Sequence, residues 1–267
     1  MKLYDAHNHL QDDRFAERQM ELLADCAEVG VVRAVVNGAC EGDWSQVRDL
    51  ARAHPIVLPS FGYHPWYLHE RTTDWHATLA GLLEETGGAV GEIGLDRWKP
   101  GLPYENQEAV FLAQLRLAAE WNRPASIHCL QAWGRLQELM EENLRPACGW
   151  VLHSFGGSKE MIPDLARLGA YFSFPGYFLH ERKQRQREVF KHVPRDRLLI
   201  ETDSPDQILP PELNRFPLAD PEGKPLNHPA NLVVIYEELA RFLGVEPQSL
   251  AAQVEENFLR LFGGCHS

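Results

Sequence analysis

Short runs rich in β-branched and aromatic residues recur eight times along this chain, each followed by a longer stretch with apolar residues three or four apart. No other feature constrains the fold as much. The runs lie at 3–7, 31–37, 57–61, 89–93, 125–128, 149–153, 170–174 and 198–202. Between them, Val110, Leu112, Leu115, Leu117 and Ala118 in the segment from Tyr104 to Trp121 give the clearest helical spacing, and Pro124 and Gly169 mark helix exits. Strands alternating with helices imply parallel pairing through helical crossovers. Eight such units in 267 residues predict an α/β chain closed as a (β/α)8 TIM barrel rather than an open sheet. An open doubly wound sheet would want a Gly-rich phosphate loop after the first strand, and Asn8-His9-Leu10-Gln11 is not one. With no repeat and no low-complexity linker, residues 1–267 read as one domain. The Pro-rich stretch 205–229 reads as a long irregular loop over the barrel mouth.

Placed on this map, the ligand-type residues converge. His7, Glu92, His128, His153 and Asp203 fall at or just past the C-terminal ends of candidate strands, where barrels of this kind carry their active sites. His9 is two residues from His7, and on a strand that spacing puts both imidazoles on one face. Paired imidazoles suit a borderline-soft divalent ion. A carboxylate at Glu92, flanked by Gly91 and Ile93-Gly94, would be costly to bury without a cation. Each residue has a plain structural explanation alone: His9 as a surface residue, Glu92 as an ion-pair partner, Asp203 as a helix cap before Ser204-Pro205. Six such explanations would have to coincide at one barrel end, so a metal site is the expectation. His54, His69, His76, His180, His192 and His266 are expected to be solvated, and Cys129 to point away from its neighbour His128 into the core.

Composition narrows the class. A formal charge of −12 disfavours tight non-specific binding to a phosphate backbone, although bound cations would reverse the sign locally. Five cysteines with no Cys-x-x-Cys pair do not make a secreted disulfide framework. No apolar run reaches twenty residues, and the first residues turn polar too soon for a signal peptide. A cytoplasmic protein without membrane attachment is therefore expected. The oligomeric state stays open, a monomer included.

Five strings carry a resemblance: Asp5-Ala6-His7-Asn8-His9-Leu10, Gly62-Tyr63-His64-Pro65, Val90-Gly91-Glu92-Ile93-Gly94-Leu95-Asp96, Leu152-His153-Ser154-Phe155-Gly156-Gly157 and Ile200-Glu201-Thr202-Asp203-Ser204-Pro205. With Asn257 and Leu261-Phe262 near the end, the chain from Leu3 to Phe262 resembles the TatD family of metal-dependent hydrolases, within the amidohydrolase-like barrels. The resemblance implies two divalent ions per chain (Zn, Mn, Mg, Ni or Co): one on His7, His9 and Asp203, one on His128 and His153, with Glu92 bridging. It also implies a substrate-facing role for His64, and phosphodiester hydrolysis. The implied catalytic residues are thus Asp203, Glu92 and His64, with Asp203 accepting a proton from the attacking water and His64 donating to developing negative charge.

Two departures touch the expected substrate pocket. Leu130 stands where many relatives have an Arg able to clamp a phosphate, and the usual Asn-Glu-Pro reads Asn227-His228-Pro229. The leading expectation is a deoxyribonuclease acting on short single-stranded oligonucleotide ends. An amide or lactone hydrolase on the same site, with a small-molecule substrate, is the second, and a non-catalytic metal-binding module the third. The basic run Arg182 to Arg187, followed by Lys191, Arg195 and Arg197, could guide a backbone, but interspersed acids favour a solvated helix face.

Overall fold

The computed structural model describes residues 1–265; His266 lies outside them. Eight parallel strands follow one another round a barrel in sequence order: β1 Leu3–Asn8, β2 Val31–Asn37, β3 Val57–Phe61, β4 Ala89–Asp96, β5 Ala125–Leu130, β6 Trp150–Leu152, β7 Ala170–Pro175 and β8 Leu198–Glu201. Every predicted run is present as a strand. Nearly all strand positions are buried, as expected where a sheet is covered on both faces. The helix Tyr104–Glu120 occupies the predicted segment and buries Val110, Phe111, Leu115, Leu117 and Ala118.

Closure between β1 and β8 places half of the ligand-type residues. Asp203 N donates to His7 O at 2.9 Å, and His9 N donates to Ser204 O at 2.8 Å. The buried Asp5 carboxylate accepts from Thr202 N (3.0 Å), Thr202 Oγ1 (2.6 Å), Asn8 Nδ2 (3.1 Å) and His7 N (3.3 Å). Burial pushes Asp5 up to about 7, against the pull of these donors. A buried carboxylate is tolerated only when so partnered. The network fixes the backbone just before Asp203 against the backbone that carries His7.

Strand β4 runs further than the sequence suggests. Glu92 is therefore within the strand rather than at its end, and Asp96 takes the terminal position. The β4–β5 register shifts between Val90 and Ile93, an irregularity that re-aims the side chain between them. Two glycines permit the approach. A Cβ at Gly91 would stand 2.7 Å from Ser126 Cβ, and one at Gly94 would stand 2.0 Å from the His128 carbonyl oxygen.

The stretch 205–229 is less irregular than its composition implies. It contains an antiparallel ribbon, β9 Pro217–Ala219 with β10 Pro225–Asn227. Asn227 ties this segment to the end of β8, donating from Nδ2 to Thr202 O (2.8 Å) and from N to Pro205 O (2.8 Å). No helix among the described residues is long and apolar enough to cross a membrane.

Candidate metal centre

At the C-terminal end of the barrel, Glu92 stands among five imidazoles. Its Oε2 lies 3.5 Å from His7 Nε2 and 3.3 Å from His9 Nε2. Its Oε1 lies 3.1 Å from His128 Nδ1, 2.9 Å from His153 Nε2 and 3.4 Å from His64 Nε2. Asp203 Oδ1 is 3.6 Å from Nε2 of both His7 and His9. All seven residues singled out in the sequence thus meet in one place. His64 is nearer than expected: with Glu92 and His128 it forms one of three ligand groups, beside His7, His9 and Glu92, and His7, His153 and Asp203. Strands β1, β4, β5, β6 and β8 deliver the ligands, and the turn after β3 delivers His64.

Each ring is oriented from behind. His9 Nδ1 donates to the Asn37 carbonyl at 2.8 Å, which turns Nε2 toward the cluster. His7 Nδ1 meets Ser126 Oγ at 2.8 Å, and the His7 ring stacks on His153 at 4.1 Å between centroids. His128 Nε2 meets Asp96 Oδ2 at 3.1 Å, and Glu201 Oε1 sits 3.7 Å from His153 Nδ1. Carboxylates behind ligand imidazoles fix the tautomer and raise ligand basicity. Asp203 adopts a left-handed backbone at φ 52° and its Oδ2 accepts from Gln207 Nε2. Such a conformation is uncommon outside glycine and concentrates at functional sites.

Electrostatics point the same way. Burial, reinforced by the neighbouring His153 charge, lowers His7 to about 4, and burial also takes His64 to about 4 against the pull of Glu92. Burial opposes charge on His9 too, but the hydrogen bond and negative charge of Glu92, with Asp203, lift it to about 9. His153 is held well above the ordinary range by Glu92 and Glu201, despite burial. Glu92 falls well below the usual carboxylate range because its histidines outweigh its burial. Burial raises Asp203 to about 6. Five rings surround one carboxylate, and both oxygens of Glu92 face nitrogen. That donor set fits divalent cations.

Several surrounding residues escaped the sequence reading. Asp96 and Glu201 lie inside the quoted strings, yet nothing in their spacing assigns them a ring to support; Asn37, Ser126 and Gln207 carry no motif at all. His228 faces no ligand: it pairs with Asp25 Oδ2 at 3.2 Å and accepts from Ala230 N. The departure at that position therefore ties the ribbon segment to the helix Gln19–Val29 and leaves the cluster round Glu92 alone. Leu130, at the end of β5, is partly exposed. Among the other histidines, His54 and His180 are half-buried rather than solvated, His180 through a bond to Ile208 O at 3.0 Å. Cys129 is buried, as expected. Much of the basic run is spent on packing: Arg182 and Lys183 lie over Tyr177, and Arg187 and Lys191 over Phe242.

A family model described as TatD related DNase matches residues 4–263. The chain belongs to that family. The 3'-5' ssDNA/RNA exonuclease TatD of Escherichia coli K12 is 32% identical over 98% of this chain and 99% of its own length. The crystal structure of YjjV, a TatD homolog from E. coli K12, superposes with a TM-score of 0.87 at 25% identity, covering 98% of each chain. A hydrolase TatD family protein from Entamoeba histolytica has the same fold, with a TM-score of 0.86 at 20% identity over 98% of each chain. The fold and membership of the TatD family agree with the resemblance drawn from the five strings.

Proposed function

We propose that this chain is a two-metal phosphodiesterase of the cytoplasm that trims nucleotides from the 3′ end of short single-stranded nucleic acid. His7, His9 and Asp203 would hold one divalent ion, His128 and His153 the other, with Glu92 between them. The observation that carries the reading is the division of Glu92: one oxygen faces His7 and His9, the other His128 and His153. The E. coli relative's described action on single-stranded DNA and RNA supports the substrate class.

When bound, the two ions would lower the pKa of a water molecule and neutralise charge on the phosphoryl group. The protein's own groups do the rest. Asp203, whose Oδ1 faces Nε2 of His7 and His9 at 3.6 Å, is placed beside the ion that these residues would hold, where it can accept a proton and return it to the leaving oxygen. Gln207 holds its Oδ2, so the free oxygen keeps one orientation. His64 reaches the cluster from the side opposite His7 and His9 on Glu92, and its N–H can donate to a phosphoryl oxygen. Asp96 keeps the His128 ring from rotating, and Glu201 places a negative charge behind His153.

The test is a substrate screen of the metal-loaded protein with phosphodiester, phosphomonoester, amide and lactone compounds under Mg, Mn, Zn, Co and Ni. Release of mononucleotides from a 3′-labelled single strand supports the reading. Turnover confined to a lactone or amide replaces it with a carbonyl hydrolase, which the missing cation at Leu130 would suit. Metal uptake without turnover of any class would instead favour a binding module.

A further inference from the structure

Beside His128 lies an aromatic and cationic ledge that the proposed chemistry does not use. The Trp66 ring centroid is 6.3 Å from that of His128 and 5.2 Å from that of His64. Its Nε1 donates to Asp96 Oδ2 at 2.6 Å. The other oxygen of Asp96 accepts from the backbone N–H of Trp98 (2.7 Å) and Lys99 (2.9 Å). One carboxylate therefore fixes both the first indole and the turn that presents the second. The two indoles are inclined by 29° with centroids 6.5 Å apart, and Lys99 Nζ sits 4.3 Å above the Trp66 ring. Trp98 is 58% exposed, and Leu130, paired in register with Asp96, is 37% exposed. Neither Lys99 nor its neighbour Arg97 has a carboxylate ion-pair partner among the described residues; Arg97 lies over Tyr104 at 3.8 Å.

An exposed tryptophan is ordinarily rim packing, but this one is anchored to the carboxylate that orients His128. We propose that Trp66 and Trp98 receive the base of a nucleotide flanking the scissile phosphate, with Lys99 facing an adjoining phosphate; this rests on the phosphodiesterase reading above. Indole faces stack on any base, so the ledge gives affinity with little sequence preference. Two cations free of acidic partners, in a chain of net charge −12, attract phosphate where the rest of the surface repels it. The ledge also supplies, from the end of β4, a contact that the side chain of Leu130 cannot make from the end of β5.

The experiment compares the metal-loaded wild type with Trp98→Ala, Trp98→Phe and Lys99→Ala on a single-stranded pentanucleotide. The same strand is also made abasic at the last or the penultimate 3′ position. Trp98→Ala is expected to raise KM for the intact strand about 5- to 30-fold, with a smaller change in kcat, and Trp98→Phe to recover most of that loss. The KM penalty should shrink on one of the two abasic strands. Lys99→Ala should raise KM and flatten its salt dependence by about one phosphate contact. Equal penalties on intact and abasic strands, or an unchanged KM in Trp98→Ala, overturn the ledge while wild-type turnover leaves the phosphodiesterase reading standing. Absence of wild-type turnover with Mg, Mn and Zn removes both.

Discussion

Nε2 of His128 lies 3.1 Å from Asp96 Oδ2, across the ring from the nitrogen that faces Glu92. The imidazole is thus gripped on both edges. Asp96 is held well below the usual carboxylate range by its hydrogen bonds to His128, Lys99 N and Trp66, which outweigh its burial, so it stays ionised at working pH.

Loosening this grip should weaken metal binding without removing a ligand. Asp96→Asn is expected to lower affinity for the more weakly held ion about 10- to 100-fold. Calorimetric titration of the metal-free protein with Zn or Mn measures it. A variant that binds both ions with wild-type affinity would assign Asp96 to the loop alone.

Removing the bridge or the proton acceptor should stop chemistry while sparing the fold. Glu92→Gln and Asp203→Asn are each expected to reduce kcat by roughly 100-fold or more, a loss of several kcal/mol of transition-state stabilisation. Circular dichroism should remain that of the wild type. Near-normal kcat in Asp203→Asn would take the proton-accepting role away from that residue.

Metal uptake should depend on pH in a definite direction. In the metal-free chain His9 is lifted to about 9 and Asp203 to about 6, both above their unfolded values, so each binds protons more tightly when folded. Their contribution to metal-free stability is fully present at low pH. For Asp203 it is lost as pH rises from about 4 to 6, and for His9 from about 6.5 to 9. Metal must displace these protons, so apparent affinity should rise from pH 6 to 9 and fall more steeply below 6. Melting curves with and without chelator should therefore separate as pH increases; curves that converge toward pH 9 would contradict the assignment.

Restoring a cation at the end of β5 tests the substrate class. Leu130→Arg is expected to lower KM for single-stranded oligonucleotides and to steepen the salt dependence by about one phosphate contact. Unchanged KM and salt slope would show that the position does not border the path of the phosphates.

The barrel and the residues that gather at its mouth are readable because each signal is local: a β-branched run forms a strand, and a His or Asp at its end points to the mouth. What supports the ligands is not local. Asp96 reaches His128 across a strand boundary thirty-two positions away, and Asn37 reaches His9 from the neighbouring strand. Glu92 lies within β4 because the strand continues through Gly94, where only the absence of a side chain lets the His128 carbonyl approach. The ribbon Pro217–Ala219 with Pro225–Asn227 escaped notice because three-residue strands opened by proline carry no alternating pattern. His228 looked like a pocket residue from its motif, yet its hydrogen bonds run to Asp25 and Ala230.

Anomalous diffraction from crystals grown with Mn or Zn tests the central claim most directly. Two peaks are expected at the C-terminal end of the barrel, one among His7, His9 and Asp203 and one among His128 and His153, each in contact with a different oxygen of Glu92. Ordered water at both positions, unchanged after soaking in excess Mn and Zn, would contradict the account.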